Sequence, residues 1–191
     1  MSSPEPNLLT PREYLALQRK SETRSEYIAR RTIALPRSNM RHGLINGNLF
    51  RELSSPLRGR AGQAHAAALR IKVSATEMYA YPDIVALCAK PLLEDEHLDT
   101  LLNPSVIVEV LSDSTELHDR GEKFANYRRI DSLREYVLVS QERICIELYR
   151  RDADKWIFSE VSGPDAVLHL VSIDCHVPVS TIYEKVDFSL T

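Results

Sequence analysis

Glu109 stands inside the apolar run Val106-Ile107-Val108-Glu109-Val110-Leu111, and Asp83 heads a second one, Asp83-Ile84-Val85-Ala86-Leu87. A carboxylate in an apolar strand costs several kcal/mol unless it is paired or bound to a cation. Two such acids at the ends of neighbouring strands would repel each other, and a divalent metal relieves that repulsion. A site offering only carboxylate, carbonyl and water ligands suits Mg²⁺, with Mn²⁺ as a substitute. The alternative is that each acid meets its own arginine at a sheet edge. Lys123 follows, beside Phe124 and one turn before Tyr127. A helix after the Glu109 strand packs back across the sheet, so this ammonium could reach the same cleft. There it would orient a nucleophilic water or stabilise a pentavalent phosphorane. A solvated lysine on a charged helix is the competing reading.

These residues need elements to hold them. Thr10-Pro11-Arg12-Glu13 combines an N-cap threonine, a proline at the first helical position and a glutamate three residues after the cap, which predicts a helix start. Residues 26–35 read as a strand, bent at Ala29-Arg30 and ended by Pro36. Leu44, Ile45, Leu49, Phe50 and Leu53 recur at three- and four-residue spacing, which predicts an amphipathic helix over 40–57 with Arg41, Arg51 and Arg58 on its other face. Residues 64–73 alternate as one strand. The runs at 83–88 and 105–111 read as strands buried on both faces, joined by an acidic connection over 91–103. Spacing predicts a helix over 119–130, with Phe124, Tyr127 and Ile130 on one side. A strand pair over 135–140 and 144–150, further strands over 156–161 and 167–171, and a short helix over 178–185 complete the chain. No repeat or linker divides it, so residues 1–191 form one mixed α/β (α+β) domain.

Composition narrows the class. The 191 residues are 43% hydrophobic and 27% charged, with a net charge of −3, which suits one full core and hardly two. No apolar run approaches the roughly 20 residues of a membrane span, and no basic segment followed by an apolar run suggests a secretory signal. Cys88, Cys145 and Cys175 show no CxxC spacing, which argues against a disulfide frame or structural zinc and fits the reducing cytoplasm. GxGxxG, GxxxxGK[ST], GxSxG and HExxH are all absent. The small net charge hides an asymmetry: residues 1–72 carry +8 and residues 73–191 carry −11. A basic segment facing an acidic one is compatible with a phosphate-binding surface beside a carboxylate-rich metal site, or with mutual neutralisation across one folded surface.

Three segments together resemble a known family. Tyr81-Pro82-Asp83-Ile84-Val85, then PSVIVEVLSDST over 104–115, then Asp119-Arg120-Gly121-Glu122-Lys123-Phe124-Ala125-Asn126-Tyr127 are similar to the Uma family of "putative restriction endonucleases", in the PD-(D/E)XK nuclease superfamily. The likeness runs from about residue 14 to 188 and includes Arg24-Ser25-Glu26-Tyr27-Ile28. It implies a restriction-endonuclease-like core, a central mixed curved sheet flanked by helices. The usual superfamily lysine lies two residues after the glutamate, which is Leu111 here, so the resemblance implies that the lysine has moved to Lys123. It further implies that Asp83 and Glu109 hold Mg²⁺ with the Val110 carbonyl as a third ligand. Lys123 would position the attacking water, and Glu26 would complete the acidic cluster. His42 falls where the family tends to have a histidine, either for proton transfer or for helix capping and packing. The implied reaction is metal-assisted hydrolysis of a DNA phosphodiester, by a homodimer if both strands are cut. The chain departs from the family at Ala29-Arg30-Arg31, where Asp-Gly-Glu is usual. The tight turn that Asp-Gly favours is then expected to be lost. That departure opens a second reading, a nuclease fold that binds DNA or regulates without catalysis.

Overall fold

A computed structural model describes residues 8–66 and 69–189. In chain order its first elements are α1 (Pro11–Gln18), the strands β1 (Ser25–Ile28) and β2 (Arg31–Ala34), and the long helix α2 (Met40–Leu57). Six strands follow: β3 (Gln63–Ala66), β4 (Arg70–Val73), β5 (Met78–Ala80), β6 (Ile84–Leu87), β7 (Thr100–Leu101) and β8 (Val106–Leu111). A helical segment then runs through α3 (Glu116–His118), a π-helical turn (Asp119–Lys123) and α4 (Phe124–Tyr127). The remainder is β9 (Glu135–Ser140), β10 (Cys145–Asp152), β11 (Lys155–Ser162), β12 (Val167–Leu170), a 3₁₀ turn (Val171–Ile173), β13 (Cys175–Pro178) and α5 (Val179–Ile182).

The described strands make a six-stranded sheet ordered β11-β10-β9-β8-β6-β3, a five-stranded sheet ordered β2-β1-β5-β4-β7, and the β12-β13 hairpin. Both larger sheets are mixed: β8 pairs with β9 and β4 with β7 in parallel, while the other pairs are antiparallel. This is the mixed α+β architecture with helices flanking the sheets that the resemblance implied.

Alternation along β8 sorts the core into two layers. Val106, Val108 and Val110 pack toward the α2 stripe of Ile45, Leu49, Leu53 and Leu57, together with β12, β13 and α5. Ile107 and Leu111 face the other way, onto β4, β5, Tyr127 and Leu133. Glu109 shares the parity of Ile107 and Leu111 and so enters this second layer. With both faces covered, β6 and β8 are buried along their whole lengths, which explains their nearly unbroken apolar sequence. The first turn of α1 carries the expected capping box between Thr10 and Glu13, and Tyr14 from that helix stacks on Tyr27 of β1 at 5.0 Å. Tyr27 is thereby held on one face of β1, and Glu26 and Ile28 take the opposite face, toward the second layer.

Several local expectations change. Residues 26–35 form a hairpin, with Ser25 to Ile28 paired to Ala34 to Arg31, instead of one bent strand. Its two turn residues, Ala29 and Arg30, have φ of +48° and +67°, so the tight turn survives without Asp-Gly. The alternating stretch at 64–73 divides into β3 and β4, which belong to different sheets. The connection over 91–103 contributes β7, and Met78–Ala80 adds a strand too short to show a period. The helix expected over 119–130 begins earlier, at Glu116, and widens into a π turn at Asp119–Lys123.

Candidate active site

Antiparallel pairing of Ile84 with Val108 puts Asp83 and Glu109 opposite one another, one step beyond the last paired residues of β6 and β8. Asp83 is fastened there by the Val110 N–H, which donates to its Oδ2 at 2.8 Å. His42, in the first turn of α2, sets Nε2 3.2 Å from the same oxygen. The Asn39 side chain caps this turn by accepting the His42 N–H. Burial is the largest influence on the His42 imidazole and opposes its charge, but the hydrogen bond to Asp83 and the Asp83 and Asp119 charges together outweigh it and raise the His42 pKa above its ordinary 6.5. Histidine and aspartate are therefore held as a pair, while Asn39, not His42, caps the helix.

Lys123 comes to the site from the π turn. Its ammonium lies 2.8 Å from Glu109 Oε1, 3.1 Å from Glu26 Oε1 and 3.2 Å from Asp119 Oδ1. An ammonium has three donors, and here each faces one carboxylate. Lys123, Glu109, Glu26 and Asp119 are all at most 4% exposed. Tyr127, one turn on, donates its hydroxyl to Glu109 Oε1 at 2.9 Å, while the Tyr81 N–H donates to Glu26 Oε1 at 3.1 Å. Tyr136 holds the π turn by donating to the Asp119 carbonyl at 3.0 Å. Burial drives the Glu109 carboxyl well above its ordinary pKa of 4.5 even though Lys123 pulls it down. The Lys123 pKa is also raised, because its carboxylate neighbours, led by Glu109, overcome the burial that disfavours its charge.

The sequence-predicted residues Asp83, Glu109 and Lys123 line one cleft of about 720 Å³, together with His42 and Val110. Glu26 lies behind Lys123 and is absent from the cleft wall, so it holds the lysine in place. Leu111, where the resemblance puts the usual lysine, is 5% exposed and packs into the second core layer on the same face of β8 as Glu109, so an apolar side chain fills that position and the ammonium comes from Lys123. Asp119, which also lines the cleft, does not stand out in the sequence, its one signal being its place four residues before Lys123. The spacing of Tyr127 places it on an apolar helix face and carries no sign of its hydroxyl bond to Glu109.

Four carboxyl groups, Asp83, Glu109, Glu26 and Asp119, thus gather around one lysine and one histidine in a poorly solvated site. Among the described residues no group of three or more His, Cys, Asp or Glu side chains has metal-ligand geometry. Two cleft carboxylates with a main-chain carbonyl beside them nonetheless suit Mg²⁺, which takes one or two protein carboxylates and fills its shell with water and phosphate oxygens. The donor chemistry therefore fits the ion that the resemblance implied.

A family model described as Uma2, "Putative restriction endonuclease", matches residues 11–177. The uncharacterized Synechocystis sp. protein sll1609 is 31% identical over 160 residues, covering 83% of this chain and 90% of that protein. A second uncharacterized Synechocystis sp. protein, slr1290, is 30% identical over 188 residues, covering 98% of this chain and 97% of the relative. Among solved structures, a "putative nuclease belonging to DUF820" from Anabaena variabilis superposes with a TM-score of 0.77 at 19% identity, covering 92% of this chain and 97% of that one. That last likeness is one of fold.

Proposed function

The chain belongs to the Uma2 family, and on that premise we propose that it is a metal-dependent endonuclease that hydrolyses DNA phosphodiester bonds. The observation that carries this reading is the Lys123 ammonium held by three carboxylates beside the facing pair of Asp83 and Glu109. In this reading Asp83, Glu109 and the Val110 carbonyl would hold Mg²⁺, for which Mn²⁺ could substitute. The bound ion would polarise the scissile phosphate and lower the pKa of a coordinated water. Lys123 orients the attacking water and offsets charge gathering on the phosphate. Glu26 and Asp119 fix the lysine at the cleft wall, and Tyr127 fixes Glu109. His42 keeps Asp83 turned toward the cleft.

The described residues of each chain form one such cleft, so cutting both strands of a duplex calls for a homodimer, which sedimentation equilibrium at micromolar concentration tests directly. No helix among the described residues is long and apolar enough to cross a membrane. Cys88, Cys145 and Cys175 are free thiols, which supports a reducing, cytoplasmic setting.

The test is nicking of supercoiled plasmid with Mg²⁺ or Mn²⁺, paired with calorimetric metal titration of the wild type and Glu109→Gln, with and without DNA. The reading expects metal-dependent nicking, and loss of both nicking and metal uptake in the variant. Nicking that survives in both Asp83→Ala and Glu109→Ala refutes the assigned site. Tight, salt-dependent DNA binding with no metal uptake would favour the non-catalytic reading.

A further inference from the structure

A second cavity, of about 440 Å³, opens where β8 and β9 begin, and its wall includes Ser105, Arg134, Glu135, Arg150 and Arg151. Ser105 and Glu109 are four residues apart along one strand direction, roughly 13 Å at the rise of a β-strand. This cavity therefore lies at the other end of the strand from the candidate active site, and the two share no lining residue.

Its charges do not balance. Glu135 is the one carboxylate on the wall, and it is fully buried. It already accepts from Arg150 Nε at 3.1 Å, the Val171 N–H at 2.9 Å, the Ser172 N–H at 3.1 Å and the Ser172 hydroxyl. Four donors use up the acceptor positions of a carboxylate, so none is left for the other two arginines. Arg134 donates Nη1 to the carbonyls of Asp131 and Leu133, at 2.6 and 3.3 Å. Arg151 donates Nη2 to the carbonyls of Arg128 and Ile130, and its guanidinium lies 4.8 Å above the Trp156 ring. Among the described residues neither Arg134 nor Arg151 forms an ion pair with a carboxylate, and Arg151 Nε is buried without a hydrogen-bond partner. Burial and the neighbouring Arg134 charge both lower the Arg151 pKa, with the Asp131 carboxylate acting weakly the other way. Neutral carbonyls hold these guanidiniums in place without neutralising them, and ion-pairing capacity is left over at a concave wall.

We propose that this cavity is a phosphate-binding site, in which Arg134, with Arg150 and Arg151 behind it, receives the phosphate of a small phosphorylated molecule or of a nucleic-acid strand. Planar guanidinium forks match phosphate oxygens bidentately, and a dianion supplies the countercharge the wall lacks. The cavity is large enough for more than the phosphate alone.

The experiment is calorimetric titration with inorganic pyrophosphate in EDTA buffer, so that no divalent metal takes part. Arg134→Ala tests the proposed site. The side chain is exposed and bonded only to nearby carbonyls, so the variant should fold, which its melting curve checks. Arg37→Ala is the control, because Arg37 lines the other cleft. Binding weakened at least tenfold in Arg134→Ala and unchanged in Arg37→Ala supports the proposal. No binding by the wild type overturns it, as does binding that weakens in Arg37→Ala and persists in Arg134→Ala. With the site supported, displacement of pyrophosphate by a short DNA duplex identifies the ligand as a nucleic-acid backbone, and indifference to the duplex identifies it as a free phosphorylated molecule.

Discussion

Replacing Lys123 with methionine keeps most of the side-chain volume and removes the charge that three buried carboxylates share. Glu109, Glu26 and Asp119 lie within 3.2 Å of that ammonium and are nearly inaccessible to solvent. Removing one partner of a buried ion pair costs about 3–5 kcal/mol, because the remaining charge is left without compensation. For a chain of this length that corresponds to a fall of about 6–20 °C in Tm. The deficit should also depend on pH. Burial already raises the Glu109 carboxyl above its ordinary 4.5, and loss of Lys123 removes the influence that pulls it down. A carboxyl that binds its proton more tightly when folded loses stability as pH climbs from its unfolded pKa toward its folded one. The gap between variant and wild type should therefore be smaller at pH 5 than at pH 8, since at pH 5 the variant can hold Glu109 neutral. Urea unfolding of both proteins at the two pH values measures it. If Mg²⁺ occupies the cleft, it should stabilise the variant by about 2.7 kcal/mol at one hundred times the variant's Kd, and the wild type, whose lysine already offsets the carboxylates, by less at the same concentration. A loss below about 1 kcal/mol, or an equal loss at pH 5 and pH 8, would show that the ammonium is not what offsets these carboxylates.

Three further outcomes follow from other parts of the fold. Asp99 bridges Arg19 and the buried Arg70, each at 2.9 Å, and Asp99→Asn should cost about 2 kcal/mol at pH 7, a buried-pair value reduced for the partial exposure of Asp99. The Arg19 hydrogen bond holds the Asp99 carboxyl below its ordinary 3.8; a depressed carboxyl stabilises above its unfolded pKa and loses that contribution as pH falls, so urea midpoints of the two proteins should converge below pH 4. In the β1–β2 turn, Ala29 and Arg30 adopt positive φ at about 1–2 kcal/mol per residue, so Ala29→Asn with Arg30→Gly should raise Tm by several degrees in calorimetry, and no gain would show that the turn is unstrained. A Cβ at Gly62 would come within 2.9 Å of the Leu87 carbonyl oxygen, so Gly62→Ala should lose about 1–3 kcal/mol in urea unfolding as β6 shifts to make room.

Asp83 and Glu109 could be read from sequence because each contradicts the apolar run around it, and strands covered on both faces leave no solvent for a stray carboxylate. Lys123 was reached through the order of elements, since a helix following β8 has to return across the sheet. What escaped depends on distant contacts. The alternation over 64–73 suits one strand or two, and the break between β3 and β4 is set by which sheet offers a partner, β6 for one and β5 for the other. A three-residue strand and a two-residue strand carry no readable period. Tyr127 has the spacing of a core residue and is one, and only tertiary packing puts its hydroxyl on Glu109.

Three departures from local preference bear on the groups around Lys123. Four ionisable side chains are buried together, and the helix carrying two of them, Asp119 and Lys123, opens into a π turn. The strand carrying a third, Glu26, ends at a turn of two non-glycine residues with positive φ. Each departure is unfavourable taken alone, and the π turn brings Asp119 and Lys123 to the same point as Glu26 and Glu109. Strain and buried charge persist where the surrounding structure over-determines them. Here the Tyr14–Tyr27 stack fixes the face on which Glu26 emerges, and the Tyr136 hydroxyl holds the Asp119 carbonyl of the π turn. The aromatic packing on either side of Lys123 is thus the support that keeps a costly ionic arrangement in register.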